Sequence, residues 1–284
     1  MKHCLIMTAY KDAAQINRII GITPPEWGIY IHIDRKSALK AEDIDSRARV
    51  MKRYTIHWGA YAHLQAFLTL MEEARQSGAG YDYYHLVTGQ DYYASRPDRF
   101  DELIEPGNYI YMETYPYPHP TNWWGDHYEL VRIRSLAEYT DIRRPFGKMM
   151  ELAYEWVQRI TRTMQPVPPY PMYCGSVYLS LPADVVDWCL HSDIARDMQQ
   201  RLKHCKIGEE LYFQTVIMNS PFKERVSTQI YDSSSGTWLA RPNFWWRAMP
   251  APSHLLPLCS AARWTPAAVA LCQMPSRRSG ISLM

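Results

Sequence analysis

The sequence predicts an α/β protein: a Rossmann-type mixed sheet flanked by helices, in a single domain. Three observations lead there. The chain opens strand–helix–strand over residues 3–34, the unit from which parallel sheets are built. Its apolar segments are short and alternate with longer segments of helical period. A last strand then runs into paired helices between Tyr173 and Thr215.

In order, residues 3–9 read as the first strand. Asp12 to Ile20 follow as a helix with Ala13, Ile16, Ile19 and Ile20 on one face, and Pro24-Pro25 stops it. Gly28 to Asp34 form the second strand, ending in polar residues. Arg53 to Gly59 are expected as a short strand running into a turn. Ala60 to Ala74 follow as a helix with Leu64, Phe67, Leu68 and Met71 inward. Tyr83 to Tyr92 give a third strand plus loop, and Asn108 to Glu113 a fourth. Tyr115 to Trp124 read as an aromatic, proline-rich loop. Arg143 to Met164 are expected to form a helix with a basic outer face turned to solvent. Gln165 to Tyr170 form a proline-rich linker. Tyr173 to Leu181 read as one glycine-led strand. Helices then open at Pro182-Ala183-Asp184 and at Gly208-Glu209-Glu210, the second with Leu211, Tyr212, Thr215 and Val216 facing in.

Composition narrows the class. A chain of 284 residues, 47% hydrophobic and 21% charged, has the material for one large core. A net charge of +2 carries no polyanion signature, so nucleic acid is not an expected partner. Tyrosine (21) and tryptophan (10) far outnumber phenylalanine (6), a balance that suits flat, polar-tipped contacts with sugar rings. The six cysteines show no zinc spacing, and free thiols in a reducing cytosol are the expectation. The first residues are too short an apolar run for a signal peptide, and no stretch approaches a membrane span.

Chemistry-bearing residues gather at strand ends and one helix start. Asp34, Asp91 and Glu113 each close a strand, where ligands of such sheets sit. A turn-capping role explains the first two equally well. Glu209 and Glu210 open a helix, where the dipole alone favours carboxylates. Asp43-Ile44-Asp45 satisfies a metal-binding spacing but lies in a polar, helix-prone segment, and reads as chance.

The pattern of these residues resembles the core-2/I-branching and peptide O-xylosyltransferase family, inverting glycosyltransferases of the GT-A fold (glycosyltransferase family 14). Gly175-Ser176-Val177-Tyr178 is similar to the family's Gly-Ser strand. Gly208-Glu209-Glu210-Leu211-Tyr212-Phe213-Gln214-Thr215 is similar to its acidic helix opening. His32-Ile33-Asp34-Arg35-Lys36, Trp58-Gly59-Ala60 and Thr88-Gly89-Gln90-Asp91-Tyr92 match three further segments. Two positions depart, Ala62 for a serine and Tyr93 for a proline. The resemblance implies that Glu210 is the catalytic base and that Asp34 and Asp91 belong to the uridine-nucleotide pocket. It implies that Glu113 holds acceptor hydroxyls, with Trp124, Arg132, Gly175, Ser176 and Glu209 around the substrate. Residues 1–107 would be the nucleotide-sugar half and 108–242 the acceptor and catalytic half. No metal or cofactor is implied. The donor is a UDP-sugar and the acceptor a glycan or lipid-linked glycan. Eukaryotic members carry a Golgi membrane anchor, so a chain lacking one is expected to be bacterial and cytoplasmic, with peripheral contact at the inner membrane face as an added expectation.

The tail departs from that pattern. Arg241-Pro242 matches, but after Asp232 there is no Asp, Glu or Lys. An adjacent reading frame of residues 243–279 can encode the family's ending, so a frameshift near Pro242 is expected, leaving 243–284 as an aberrant, poorly ordered tail. Transfer needs a base for the acceptor hydroxyl and positive charge for the departing diphosphate. Arg241 is kept for the second task, while the family's tail lysine is missing. The expectation is therefore an inverting, metal-independent transferase of GlcNAc or xylose that is weak or inactive in this form. One rival is a non-catalytic sugar-nucleotide-binding relic. Another is a glycoside hydrolase using Glu113 and Glu210 as its acid pair.

Overall fold

A computed structural model describes residues 1–93, 97–103, 109–118, 128–227 and 245–247. The strands are β1 (His3–Ala9), β2 (Gly28–Ile33), β3 (Arg49–Met51), β4 (Tyr83–Thr88), β5 (Asp91–Tyr93), β6 (Ile110–Met112), β7 (Tyr115–Tyr117), β8 (Met172–Cys174), β9 (Leu179–Pro182), β10 (Val226–Ser227) and β11 (Trp245–Arg247). The helices are α1 (Ala13–Ile22), α2 (Tyr61–Gln76), α3 (Phe100–Leu103), α4 (Glu129–Arg132), α5 (Pro145–Thr161), α6 (Ala183–His191), α7 (Asp193–Leu202) and α8 (Glu209–Met218).

Seven strands form one mixed sheet in the order β10-β6-β9-β4-β1-β2-β3. β1 lies parallel to both β2 and β4, and β9 runs antiparallel between β4 and β6. All of β1 is buried because both sheet faces are covered. Leu5 and Met7 pack with Ile16, Ile19 and Ile20 of α1 on one face. Cys4 and Ile6 join Leu64, Phe67 and Met71 of α2 and the core side of α8 on the other. The expected α/β class, a mixed sheet flanked by helices, is the architecture observed, and the described elements belong to one compact unit, Met1–Arg247.

Three segments differ from expectation, each for a physical reason. Residues 53–59 do not form the expected short strand; the strand lies just before them, at β3. Their backbone groups go to side chains instead. The amides of Arg53 and Tyr54 donate to His32 Nε2 (3.3 and 2.9 Å), and that of Ile56 to Asp34 Oδ1 (3.1 Å). The stretch 173–181 is two strands, not one. β8 pairs with β7 in a separate ribbon, so Tyr115–Tyr117 is a strand rather than loop. Gly175 to Tyr178 cross from that ribbon to β9 of the main sheet.

The third difference is α5. Its outer face carries an apolar stripe beside the expected basic residues: Phe146 (67%), Trp156 (65%) and Ile160 (60%) are among the most exposed large side chains, while Gly147, Glu151 and Gln158 are buried. The polar side is drawn in by loop backbone. Glu151 Oε2 accepts from Leu136 N (2.7 Å), and Gln158 brackets Arg134, accepting from its N and donating to its O (both 2.8 Å).

Residues 245–247, within the stretch expected to be a poorly ordered tail, form β11, which pairs antiparallel with β5, Trp246 opposite Tyr92 and Arg247 opposite Asp91. Among the described residues, no helix is long and apolar enough to cross a membrane.

Candidate functional site

The carboxyl ends of β1, β2, β4 and β6 share one rim, and β9 begins there. β1 is the switch point, since β2 and β4 leave it on opposite sides. Ligands of open α/β sheets bind in the crevice at such a point.

α8 brings its first turn to this rim. Leu211 through Ile217 are fully buried, so the helix is held from all sides and only its two ends, at Glu210 and Met218, meet solvent. Ile207, just before it, adopts the left-handed conformation (φ 59) that a β-branched residue rarely takes. Its amide donates to Gly59 O at 2.9 Å, tying the start of α8 to the turn that precedes α2. Glu210 is half-buried and Glu209 buried.

Gly175 joins Glu210 to Glu113. Its amide donates to Glu210 O at 2.9 Å, and a Cβ there would lie 2.0 Å from Glu113 O, so only glycine fits. Glu113 is half-buried, with Oε1 accepting from Tyr115 Oη at 2.8 Å. The neighbouring Cys174 thiol is pushed up to about 12, first by burial and then by the negative charges of Glu210 and Glu113. Both carboxylates therefore act on one sulfur. Gln214, fully buried, donates to Ser176 O (2.8 Å) and Glu113 O (3.5 Å), while Thr215 Oγ1 accepts from Tyr173 N (3.0 Å) and donates to its O (2.9 Å). These contacts fasten the Gly175-Ser176 crossover to α8.

Glu209 faces a different partner. Its Oε1 lies 3.1 Å from His63 Nδ1, and His63 Nε2 lies 3.1 Å from Thr8 Oγ1, near the end of β1. Thr8 pairs in register with His32 and Thr88, so this chain of contacts runs from α8 to the switch point. Sequence reasoning missed His63 and Gln214. Their signal was a polar residue beside inward-facing apolar ones: Gln214 sits amid seven other buried residues, and His63 lies one position before inward-facing Leu64.

Asp34 and Asp91 both brace turns at the rim. Asp34 is 5% exposed; Oδ1 accepts from the amides of Lys36 and Ile56 (both 3.1 Å), and Oδ2 pairs with Lys36 Nζ at 3.2 Å. Asp91 is fully buried, and Oδ2 accepts from Thr88 N (2.6 Å) and Thr88 Oγ1 (2.9 Å). Their geometry is that of wall-builders. His32, two residues before Asp34, is held neutral, its pKa lowered to about 4 chiefly by burial.

Arg132 lies away from this rim. It lines a separate hollow of about 340 Å³ with Tyr128, Glu129, Arg159 and Met164, its Nε donating to Gln165 O at 3.1 Å. Trp124 and Arg241 fall outside the described residues. Asp43 and Asp45 each cap a local turn, accepting from Lys40 N and Arg47 N (both 2.9 Å). Among the described residues, no group of three or more His, Cys, Asp or Glu is arranged to hold a metal ion. The four described cysteines, Cys4, Cys174, Cys189 and Cys205, are buried thiols.

No protein-family model matches the chain, and a search of curated proteins finds no match.

Proposed function

We propose that the chain is an inverting glycosyltransferase of the GT-A kind that moves GlcNAc or xylose from a UDP-sugar to a hydroxyl of a glycan or lipid-linked acceptor. In this reading no metal takes part, and the reaction sits at the inner face of a bacterial membrane. The observation that carries it is that Gly175, at the sheet's carboxyl rim, lies against the backbone carbonyls of both Glu113 and Glu210, two half-buried residues whose charges both bear on Cys174. Glu113 holds the acceptor hydroxyls, and Glu210 takes the proton as the oxygen attacks the anomeric carbon. One base and one displacement give inversion. The turns built on Asp34 and Asp91 wall the nucleotide, and Gly175-Ser176 lines the sugar. Lys36, partly exposed beside Asp34, is a described cation at this rim, and Arg241 is assigned to the diphosphate.

Release of UDP from a panel of UDP-sugars tests this, on the chain as it stands and with the alternative frame restored after Pro242. Slow release is expected from the first. A gain on the order of a hundredfold is expected from the second, the worth of one group stabilising the leaving charge. Glu210→Gln in the restored chain should lower turnover about 10²- to 10⁴-fold while UDP still binds. Binding of UDP without release from any donor would point to the relic instead. Cleavage of glycosides without a nucleotide would point to the hydrolase.

A further inference from the structure

α5 presents its apolar side outward, and nothing in the described structure covers it. Phe146, Met149, Met150, Trp156, Val157 and Ile160 recur at three- and four-residue spacing, and all are exposed. The helix is not free to roll this stripe inward. Glu151 and Gln158 are committed to the backbone of Arg134 and Leu136, and Glu155 pairs with Lys206 at 2.7 Å. A buried polar side and an exposed apolar side are the reverse of an ordinary surface helix.

Charge completes the pattern. Arg143, Arg144, Lys148, Arg159 and Arg162 are exposed at both ends and along one flank. The helix's own carboxylates, Glu151 and Glu155, are turned inward to Lys206. The nearby acids are Asp141, paired with Arg143, and Glu129, paired with Arg159. The outward surface is thus an apolar stripe bordered by positive charge. A helix of 17 residues is about 25 Å long, and with arginine at both ends it suits lying along a bilayer rather than crossing it.

We propose that α5 docks the protein on an anionic phospholipid surface. The stripe sits below the headgroups, Trp156 at the polar–apolar boundary, and the arginines lie against lipid phosphates. A second copy of the chain is the poorer fit, because pairing two α5 faces antiparallel sets Arg143 and Arg144 against Arg159 and Arg162. The inference rests on α5 alone and stands whether or not the carboxylate rim is a transferase site. Where it is, docking brings that site to a lipid-linked acceptor.

The test is co-sedimentation of the full chain with vesicles of phosphatidylcholine, with and without phosphatidylglycerol, at low and high salt. Binding is expected only with phosphatidylglycerol and should weaken as salt rises. Lipids brominated in their chains should quench tryptophan emission in the parent and much less in Trp156→Ser. Met149→Ser/Trp156→Ser/Ile160→Ser should lose at least about tenfold in vesicle affinity, because each removes an apolar side chain from the acyl boundary. Its unfolding midpoint should stay unchanged, since the stripe is exposed. Equal binding by parent and triple variant would overturn the proposal. So would a parent that ignores anionic vesicles yet sediments as a dimer dispersed by the triple substitution.

Discussion

α8 and α5 divide the work of a helix in opposite ways. α8 has ten residues, eight of them buried, and its interior holds Tyr212, Thr215, Val216 and Ile217, which are middling helix formers. It persists because the core surrounds it. α5 has seventeen residues, nine of them Met, Glu, Leu, Ala, Lys, Gln or Arg, and buries only Gly147, Glu151 and Gln158. It is held to the protein by a few polar tethers rather than by an apolar face. One helix spends its apolar residues on the fold and leaves carboxylates at its open end. The other keeps its apolar residues outside the fold altogether. The residues a fold does not consume are where a function is to be sought, and here they are Glu210 with Glu113 at one place and the α5 stripe at the other.

The largest expected effect separates the two helices by stability. Phe213→Ala removes a fully buried ring and should cost about 3–5 kcal/mol of unfolding free energy. Trp156→Ala removes a larger ring that is 65% exposed and should change stability by no more than about 0.5 kcal/mol. Urea unfolding of the two variants decides it, and comparable losses would erase the distinction.

Gly175→Ala probes the open end of α8. The added methyl would meet Glu113 O at 2.0 Å, so β6 and α8 must part or the crossover must shift. A loss of about 1–3 kcal/mol is expected, as for other overpacked sites. A variant as stable as the parent would mean that the backbones at Glu113 and Glu210 are not held together by this residue.

How much of this was legible in the sequence follows from what each segment bonds to. β1, β2, β4 and α2 are satisfied by regular ladders and by a burial pattern along their own length, and their residues announce them. The stretch 53–59 looks like a strand but hands its amides to His32 and Asp34, side chains more than twenty residues earlier. The break at Gly175 depends on how closely Glu113 approaches, a contact between residues 62 positions apart. Sequence period shows that α5 has two faces but not which one turns inward. That was decided by backbone groups of residues 134–136 needing acceptors and donors. At the rim, Glu113 and Glu210 were readable as candidates. His63 and Gln214, which tie the helices to the strand ends, were not, because a lone polar residue on an apolar helix face has no fixed meaning until its partner is known.

The smallest expected effect concerns which part of the molecule acid loosens. His32 and His85 are buried among the strands, the first lowered to about 4 and the second well below its ordinary value, both chiefly by burial. In the unfolded chain each binds a proton near pH 6.5. Between that pH and the folded value, the unfolded state holds more protons, so stability must rise with pH across the window and fall as the solution is acidified. The contribution is complete above about pH 6.5 and is lost toward pH 4, at a slope of up to about 1.4 kcal/mol per pH unit for each such group. His32→Gln retains an acceptor for the Arg53 and Tyr54 amides without a titrating proton. Thermal unfolding between pH 7 and 4 should therefore show a shallower acid decline in this variant than in the parent. Identical slopes would mean that His32 takes up its proton in the folded chain, and that the sheet beneath α8 is less closed to water than its burial indicates.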